Sequence, residues 1–227
     1  QLQDVWAKGQ LATVLLLNPG EIDEAKSLMP DLHQLLDGQY QDWVRSRMFM
    51  SGRNVALADS LQKEAQFTLL LPELYVKRIE DSTYIFRNDN PDPSELIREI
   101  TVTWRGVTTE KSSQGDILEW RQDISDLYYN YPQVLNPDLA ERRQIQIGDR
   151  ILDEIRTTWS NPPEDLFPAG GPTIIRSINC PSQGRQYLVD AWLYAPGRDK
   201  YQYLLQLETI LNSFRCGESP TTTSRTD

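Results

Sequence analysis

The chain has 227 residues, of which 33 are acidic and 23 basic, so its formal net charge is −10. A charge of this sign repels phosphate backbones and anionic headgroups, which argues against nucleic acid as a partner. The chain is long enough to bury a substantial core, and no apolar run approaches the ~20 residues that a membrane-spanning helix needs.

Residues 1–66 are predicted to hold one strand followed by helices. The apolar run Leu11–Leu17 is typical of a buried strand. The motif Asn18–Glu21, NPGE, supplies an N-cap, a first-turn proline and a glutamate at the third position, so a helix should begin there. Pro30 should kink this helix and Gly38 should end it. Two further helices are predicted around residues 40–48 and 54–65.

From Phe67 the hydrophobic period changes from helical to two, and one order of elements follows twice. Each copy has three strands and then a capped helix. The first copy covers about residues 67–131, with strands at Leu74–Glu80, Ser82–Asn88 and Ile97–Trp104. The second covers about residues 149–216, with strands at Asp149–Trp159, Thr173–Cys180 and Gln186–Tyr194.

The repeat predicts an α+β fold of two β-β-β-α units, with an antiparallel or mixed sheet and the helices packed on one face. It depends on residues 149–159 being a strand, because their apolar spacing fits a helix equally well. Coincidence is the competing explanation, since strand-strand-helix runs are common. Residues 1–216 are predicted to form one domain, followed by a disordered polar tail at 217–227.

The caps of the two repeat helices carry the same signal. Ser113 is followed three residues later by Asp116, and Asp199 is followed by Gln202. Both spacings are those of a capping box, which satisfies the first free backbone donors of a helix. Residues 138–144, between the two copies, could form a helical turn.

Several stretches resemble a known family: the segment LYAPGRDKYQYLLQLETIL near the C-terminus, the Gly170-Gly171-Pro172 turn, the strand Tyr84–Arg87 and the helix start Ser113–Gly115. In these the chain resembles domain-of-unknown-function family 4837, uncharacterised cell-envelope lipoproteins of Bacteroidetes-type bacteria. The likeness runs from about Trp6 to Cys216. It implies a lipidated cysteine upstream of Gln1 and a periplasmic, lipid-anchored location, and it brings no catalytic residues. The chain itself starts without a leader, so it is either cytosolic or has lost one.

The two cysteines leave their redox state open. Cys180 ends a predicted strand and Cys216 ends the last predicted helix, so a disulfide between them is conceivable in an oxidising compartment. The alternative is two unpaired buried thiols.

The sequence lacks the residues that most catalytic and metal-binding sites need. His33 is the only histidine, so it would have to be the base of any Ser-His or Cys-His catalytic pair. With one histidine and two separated cysteines, the usual zinc and iron-sulfur sites are excluded. We therefore predict no cofactor and no metal. An all-oxygen calcium or magnesium site stays open, without an EF-hand pattern, at Asp89, Asp92 and Glu95 or at Glu164 and Asp165.

Aromatic residues beside arginines are the best binding candidates, because Trp and Arg dominate binding hot spots. The sets are Trp104 with Arg105, Trp120 with Arg121, and Arg156 near Trp159. The alternative is that these side chains anchor the core. The Gly170-Gly171 turn could cradle a phosphate through its backbone donors, although an ordinary turn explains it as well.

These observations favour a non-enzymatic cell-envelope module, tethered by a lipid, that binds a protein or glycan partner. The alternative is a hydrolase of an envelope polymer that uses carboxylates of the sheet or of the loop Asn161–Pro172. A third hypothesis is a structural subunit with an aromatic oligomer interface.

Overall fold

A computed structural model describes residues 2–8, 10–107, 112–148, 150–165 and 168–217. The chain divides into two units, residues 1–43 and 44–227, which are treated separately below. That residues 1–216 form one domain stays a prediction. The predicted polar tail lies, apart from Gly217, outside the described residues.

The apolar run near the N-terminus forms far less strand than predicted. Strand β1 (Leu2–Gln3) pairs antiparallel with β2 (Leu11–Ala12). Beyond β2 the side chains of residues 14–17 are exposed, by 87% at Leu16. The prediction of a buried strand at 11–17 is therefore wrong, because a two-residue partner provides no sheet to cover it.

Helix α1 (Ile22–Met48) is continuous where two helices were predicted. It begins three residues later than predicted, because Asn18 and Pro19 lie in a turn before the helix. The carboxylate of Glu21 accepts hydrogen bonds from the backbone N–H and the side-chain amide of Asn18, both at 2.7 Å. Gly38 does not end the helix, because its backbone stays out of the left-handed region that terminates helices.

Helix α2 (Val55–Ala65) agrees with prediction. The side chain of Asn54 caps it by accepting the N–H of Leu57 at 3.0 Å, and Gln66 ends it with a left-handed φ of 61°. Strand β3 (Phe67–Thr68) follows at once.

The main sheet has eight antiparallel strands, with the order β4-β5-β6-β11-β10-β9-β7 and β8 also paired with β9. The strands are β4 (Val76–Glu80), β5 (Thr83–Asn88), β6 (Ile97–Gly106), β7 (Val134–Leu135), β8 (Glu141–Ile147), β9 (Arg150–Ser160), β10 (Gly170–Cys180) and β11 (Arg185–Tyr194).

Two segments that periodicity left open are strands. β9 resolves the helix-or-strand ambiguity of residues 149–159, since it has partners on both sides. The helical turn predicted at 138–144 is wrong: a short 3-10 turn covers Pro137–Leu139, and β8 follows it. Pairing with β9 decides the conformation of β8, and local sequence could not show that partner.

The two repeat helices pack on opposite faces of the sheet. α3 (Gln114–Tyr128) joins the apolar cluster that contains Leu188 and Trp192 of β11. α4 (Tyr201–Asn212) joins the cluster that contains Val189, among the alternate residues of the same strand. Because successive side chains of a strand point to opposite faces, the prediction of helices on one face is wrong.

The helix positions also limit the internal repeat. The central strands β6 and β11 are antiparallel neighbours, so only a two-fold axis perpendicular to the sheet could exchange the two copies. Such an axis would keep both helices on one face. The strands of the two copies are therefore arranged as the internal repeat requires, but the two helices are not.

The caps of the two helices differ as well. α3 has the predicted capping box: Ser113 accepts the N–H of Asp116 at 3.1 Å, and the Asp116 carboxylate accepts the N–H of Ser113 at 2.7 Å. α4 begins after Lys200 with no side-chain cap. The predicted cap at Asp199 is wrong.

The cysteines form a disulfide, with their Cα atoms 6.0 Å apart. It joins the end of β10 to β12 (Arg215–Cys216), which pairs with β3. Within the described residues, no helix combines the length and apolar character needed to cross a membrane.

Candidate functional site

A fully buried acid lies at the centre of the sheet on the α3 face. Asp190 of β11 has no exposed surface, and its Oδ2 accepts hydrogen bonds from Arg121 Nε at 2.9 Å and Tyr129 Oη at 2.6 Å. Its Oδ1 accepts one from Thr173 Oγ1 at 2.6 Å. Arg121, also fully buried, donates in addition to Gln133. The carboxylate is thus committed to three donors from three different elements.

A second buried acid, Glu99 of β6, lies directly across the ladder from Trp192. Burial raises the pKa of Glu99 to about 7, and the negative charge of Asp190 adds to the shift. Arg87 opposes it, with Nη1 at 3.5 Å from the carboxylate. The indole N–H of Trp192 lies beside the carboxyl group but outside good hydrogen-bond geometry, so it offsets the burial only weakly.

Replacing Glu99 with glutamine is expected to change how stability depends on pH. The folded-state pKa of about 7 exceeds the ordinary value of 4.5, so the folded protein binds this proton more tightly than the unfolded chain. The resulting stability is fully present below pH 4.5 and is lost as pH rises to about 7. Glu99→Gln should therefore gain about 3 kcal/mol over the wild type between these pH values.

Urea unfolding of both proteins at several pH values from 4.5 to 8 measures this difference. Glu119→Gln, at an exposed position of α3, is the matched control and should follow the wild-type curve. A constant difference between Glu99→Gln and the wild type would show that Glu99 titrates normally.

An aromatic cavity of about 400 Å³ lies at one end of β9 and β11. We call it the aromatic pocket. Its main lining residues are Ile97, Tyr131, Trp159, Pro168, Trp192 and Tyr194. Neither Asp190 nor Glu99 lines it, whereas Trp192, the cross-strand neighbour of Glu99, does.

The walls of the aromatic pocket are fixed by contacts behind them. Trp159 Nε1 donates to the carbonyl oxygen of Leu193 at 3.3 Å, and its ring meets Trp192 edge-on with the centroids 5.2 Å apart. Tyr131 lies under the Arg87 guanidinium, 5.3 Å from the ring centroid. The indoles are therefore held in place before any ligand arrives.

Close packing at the wall of the aromatic pocket requires glycine at position 171. A Cβ at this position would lie 1.9 Å from the carbonyl oxygen of Leu193, so only glycine fits. Gly170 and Gly171 belong to β10 and pair with Ser160 and Trp159 of β9. The predicted turn is thus a strand, and the two glycines allow close strand packing there.

The predicted tryptophans do not form one exposed cluster. Trp159 is 3% exposed and lies on the α3 face. Trp104 lies on the α4 face, 5.9 Å between ring centroids from Tyr84 and 5.7 Å from Tyr187. Trp120, half-buried in α3, stacks against Arg105, whose guanidinium carbon is 4.2 Å from the ring centroid. Of the three, only Trp159 reaches the aromatic pocket.

The predicted arginines are paired within the protein. Arg121 binds Asp190 as described above. Arg156 contacts the carboxylates of Glu154, at 2.7 Å, and Glu208 on the α4 face. Asp190 was not predicted as a site residue, yet it is the only charged residue of the predicted strand Gln186–Tyr194. This single charge was the feature of the sequence that could have pointed to Asp190.

The acidic loop of residues 89–95 holds its carboxylates in ion pairs and hydrogen bonds. Asp89 binds Arg87 at 3.1 Å, and Glu95 binds Arg198. Asp92 accepts the N–H and the hydroxyl of Ser94. Across the described residues, no three acidic, histidine or cysteine groups lie close enough to hold a metal ion.

Two solved structures show a distant likeness to the chain. The Ran-binding protein Mog1p of Saccharomyces cerevisiae is 10% identical, with a TM-score of 0.44, and the match covers 67% of this chain and 91% of that one. A mutant of the protein Mog1 gives the same identity and TM-score, covering 68% and 92%. We draw no conclusion from a similarity this low.

No curated protein matches the chain. Residues 54–213, from the cap of α2 to the end of α4, match the family model described as Domain of unknown function (DUF4837). They include every main-sheet strand, both buried acids and most of the pocket wall. Since this match spans well over half of the 227 residues, the protein belongs to the DUF4837 family.

Proposed function

We propose that the protein is a non-enzymatic binding module whose aromatic pocket receives a proline-containing segment of a protein partner. The observation that carries the proposal is the pocket itself, a cavity of about 400 Å³ walled by two tryptophans and two tyrosines. Rigid aromatic grooves bind proline-rich segments well, because such segments lose little conformational entropy on binding.

A protein segment suits this pocket better than a glycan. A sugar buried there would lose water from many hydroxyls, while aromatic rings, prolines and aliphatic groups supply most of the wall. Each hydroxyl left without a partner costs about 1–3 kcal/mol. A proline ring carries no such penalty and gains contact with the aromatic faces.

The proposed location is the cell envelope. The Cys180–Cys216 disulfide supports it, because disulfides persist mainly in oxidising compartments outside the cytoplasm. A lipid-anchored form would carry its acylated cysteine upstream of Gln1. Mass spectrometry of the native protein tests this, and an unmodified protein recovered from the cytosol would refute the envelope location.

A hydrolase is the second candidate, because Glu99 and Asp190 form a pair of neighbouring acids in which one pKa is raised. Neither group lines the aromatic pocket, however. Asp190 is also saturated by Arg121, Tyr129 and Thr173. A substrate in this pocket would not reach the carboxylates, so binding accounts for the geometry better than hydrolysis.

Titration with a hexaproline peptide, followed by tryptophan fluorescence, tests the proposed function. Trp159 and Trp192 line the pocket, so a bound peptide should shift their emission. Tyr194→Ala should weaken binding about tenfold, the effect of losing ~1.4 kcal/mol. Tyr201→Ala is the matched control, because it removes a 44% exposed ring from α4, on the other face of the sheet.

The same titration with maltohexaose distinguishes the two partner classes. A response to the sugar alone, lost in Tyr194→Ala, would replace the protein partner by a glycan. No response to either probe, or equal peptide binding by Tyr194→Ala and the wild type, would overturn the assignment of the pocket.

A further inference from the structure

A second cavity lies at the opposite end of the same strands, where β9 and β10 separate. Their ladder ends at Asp153 and Ser177, although β9 extends back to Arg150 and β10 continues to Cys180. Over these last residues β9 pairs with β8 and β10 pairs with β11. The inner edges of the two strands face a cavity of about 550 Å³, which we call the polar cavity.

Polar groups dominate the lining of this cavity. Among the described residues, eight of the fourteen lining side chains are polar or charged, in contrast to the aromatic pocket. Those that carry the argument are Ser112, Arg150, Asp153, Ser177, Asn179 and Gln186. They include hydroxyl and amide groups, which donate and accept, a donor guanidinium and an acceptor carboxylate.

The polar side chains are held in place from behind. Arg105 donates to Gln186 Oε1 at 2.9 Å and to Ser112 Oγ at 3.0 Å. The amide of Gln186 in turn donates to Ser177 Oγ at 2.9 Å. The two serine hydroxyls accept these bonds, so their own protons point elsewhere. Such fixed groups bind a ligand without first paying the entropy of ordering.

The carboxylate of the cavity is fixed in the same way. Arg142 Nη2 holds Asp153 at 2.9 Å and pairs with its charge, and the lining also contains the guanidinium of Arg150. An apolar group would leave the amides and hydroxyls of the wall without partners. A sugar hydroxyl donates and accepts at once, so it matches a wall that offers both functions.

We propose that the polar cavity is a carbohydrate-binding site, separate from the aromatic pocket. The ligand is a sugar unit whose hydroxyls bond to Asp153, to Asn179 and to the hydroxyls of Ser112 and Ser177. The two sites lie at opposite ends of β11, with Gln186 at one end and Trp192 at the other. One domain would therefore engage a glycan and a protein segment at the same time.

Saturation-transfer-difference NMR on the full chain, with glucose, galactose and N-acetylglucosamine as probes, tests the proposal. Transfer to at least one sugar is expected. The combined variant Asn179→Ala with Gln144→Ala truncates two exposed lining side chains, so its fold should persist. Its sugar affinity should fall about tenfold or more. Gln146→Ala, also exposed on β8 but outside the lining, is the matched control.

Three outcomes would overturn the carbohydrate site. They are no transfer to any of the three sugars, undiminished transfer in the combined variant, and transfer that is lost in Tyr194→Ala instead. The last would place the sugar in the aromatic pocket. Failure of hexaproline binding leaves this test unaffected, since Tyr194 lines only the other site.

Discussion

Replacing Asp190 with alanine is expected to lower the free energy of unfolding by about 3–5 kcal/mol. Arg121 would keep its charge in a site with no exposed surface and lose the carboxylate that neutralises it. Tyr129 would lose its acceptor as well, and Thr173 would keep only the longer hydrogen bond to the carbonyl oxygen of Ala191. Urea unfolding at pH 7, with circular dichroism as the readout, measures the change.

A double variant separates the loss of the charge partner from the loss of packing. Arg121→Met combined with Asp190→Leu removes both charges and fills the space with apolar groups, so it should recover most of the stability. If the double variant were as unstable as Asp190→Ala, cavity formation and not the unpaired arginine would explain the loss. If Asp190→Ala were neutral, the network would have no structural role.

Removing the disulfide by Cys180→Ser with Cys216→Ser is expected to cost about 4 kcal/mol. The two cysteines are 36 residues apart in sequence, and closing a loop of this size removes about that much chain entropy from the unfolded state. The bridge joins β10 to β12, directly after α4, so its loss should loosen the C-terminal end of the fold.

Unfolding with and without a reducing agent provides the control. The wild type should lose stability on reduction, and the double serine variant should be insensitive to it. Equal midpoints for the oxidised wild type and the double variant would show that the bridge contributes nothing to stability, and would remove one support for an oxidising location.

The central strand β11 connects the features that bear on function. Gln186 faces the polar cavity, Asp190 holds the buried network, and Trp192 walls the aromatic pocket, all on the α3 face. The buried network lies between the two sites. Its three donors come from α3, β10 and the segment after α3, so the network ties the helix to the sheet that carries both cavities.

Local sequence was enough where the signal is local. The helix over residues 54–65 and the capping box of Ser113 with Asp116 were predicted and are present. In these cases the atoms that stabilise the element are within a few residues of each other, so the pattern contains the cause.

Tertiary contacts decided the rest. The sequence did not show that α3 and α4 cover opposite faces, because both faces of β11 are apolar and either helix fits either one. Nor did it show that β8 is a strand, which depends on pairing with β9. Both outcomes depend on which surfaces meet, and a single segment carries no information about its partner.

The candidate sites divide in the same way. The sequence by itself determined the residue types: tryptophans, arginines and a single charged residue in an apolar strand. Only the folded chain decided that Trp159 joins Trp192 around a pocket, that Trp104 is packed on the other face, and that Gly171 clears a carbonyl group. Cavities form between distant segments, because strand register and helix packing set the distances across them.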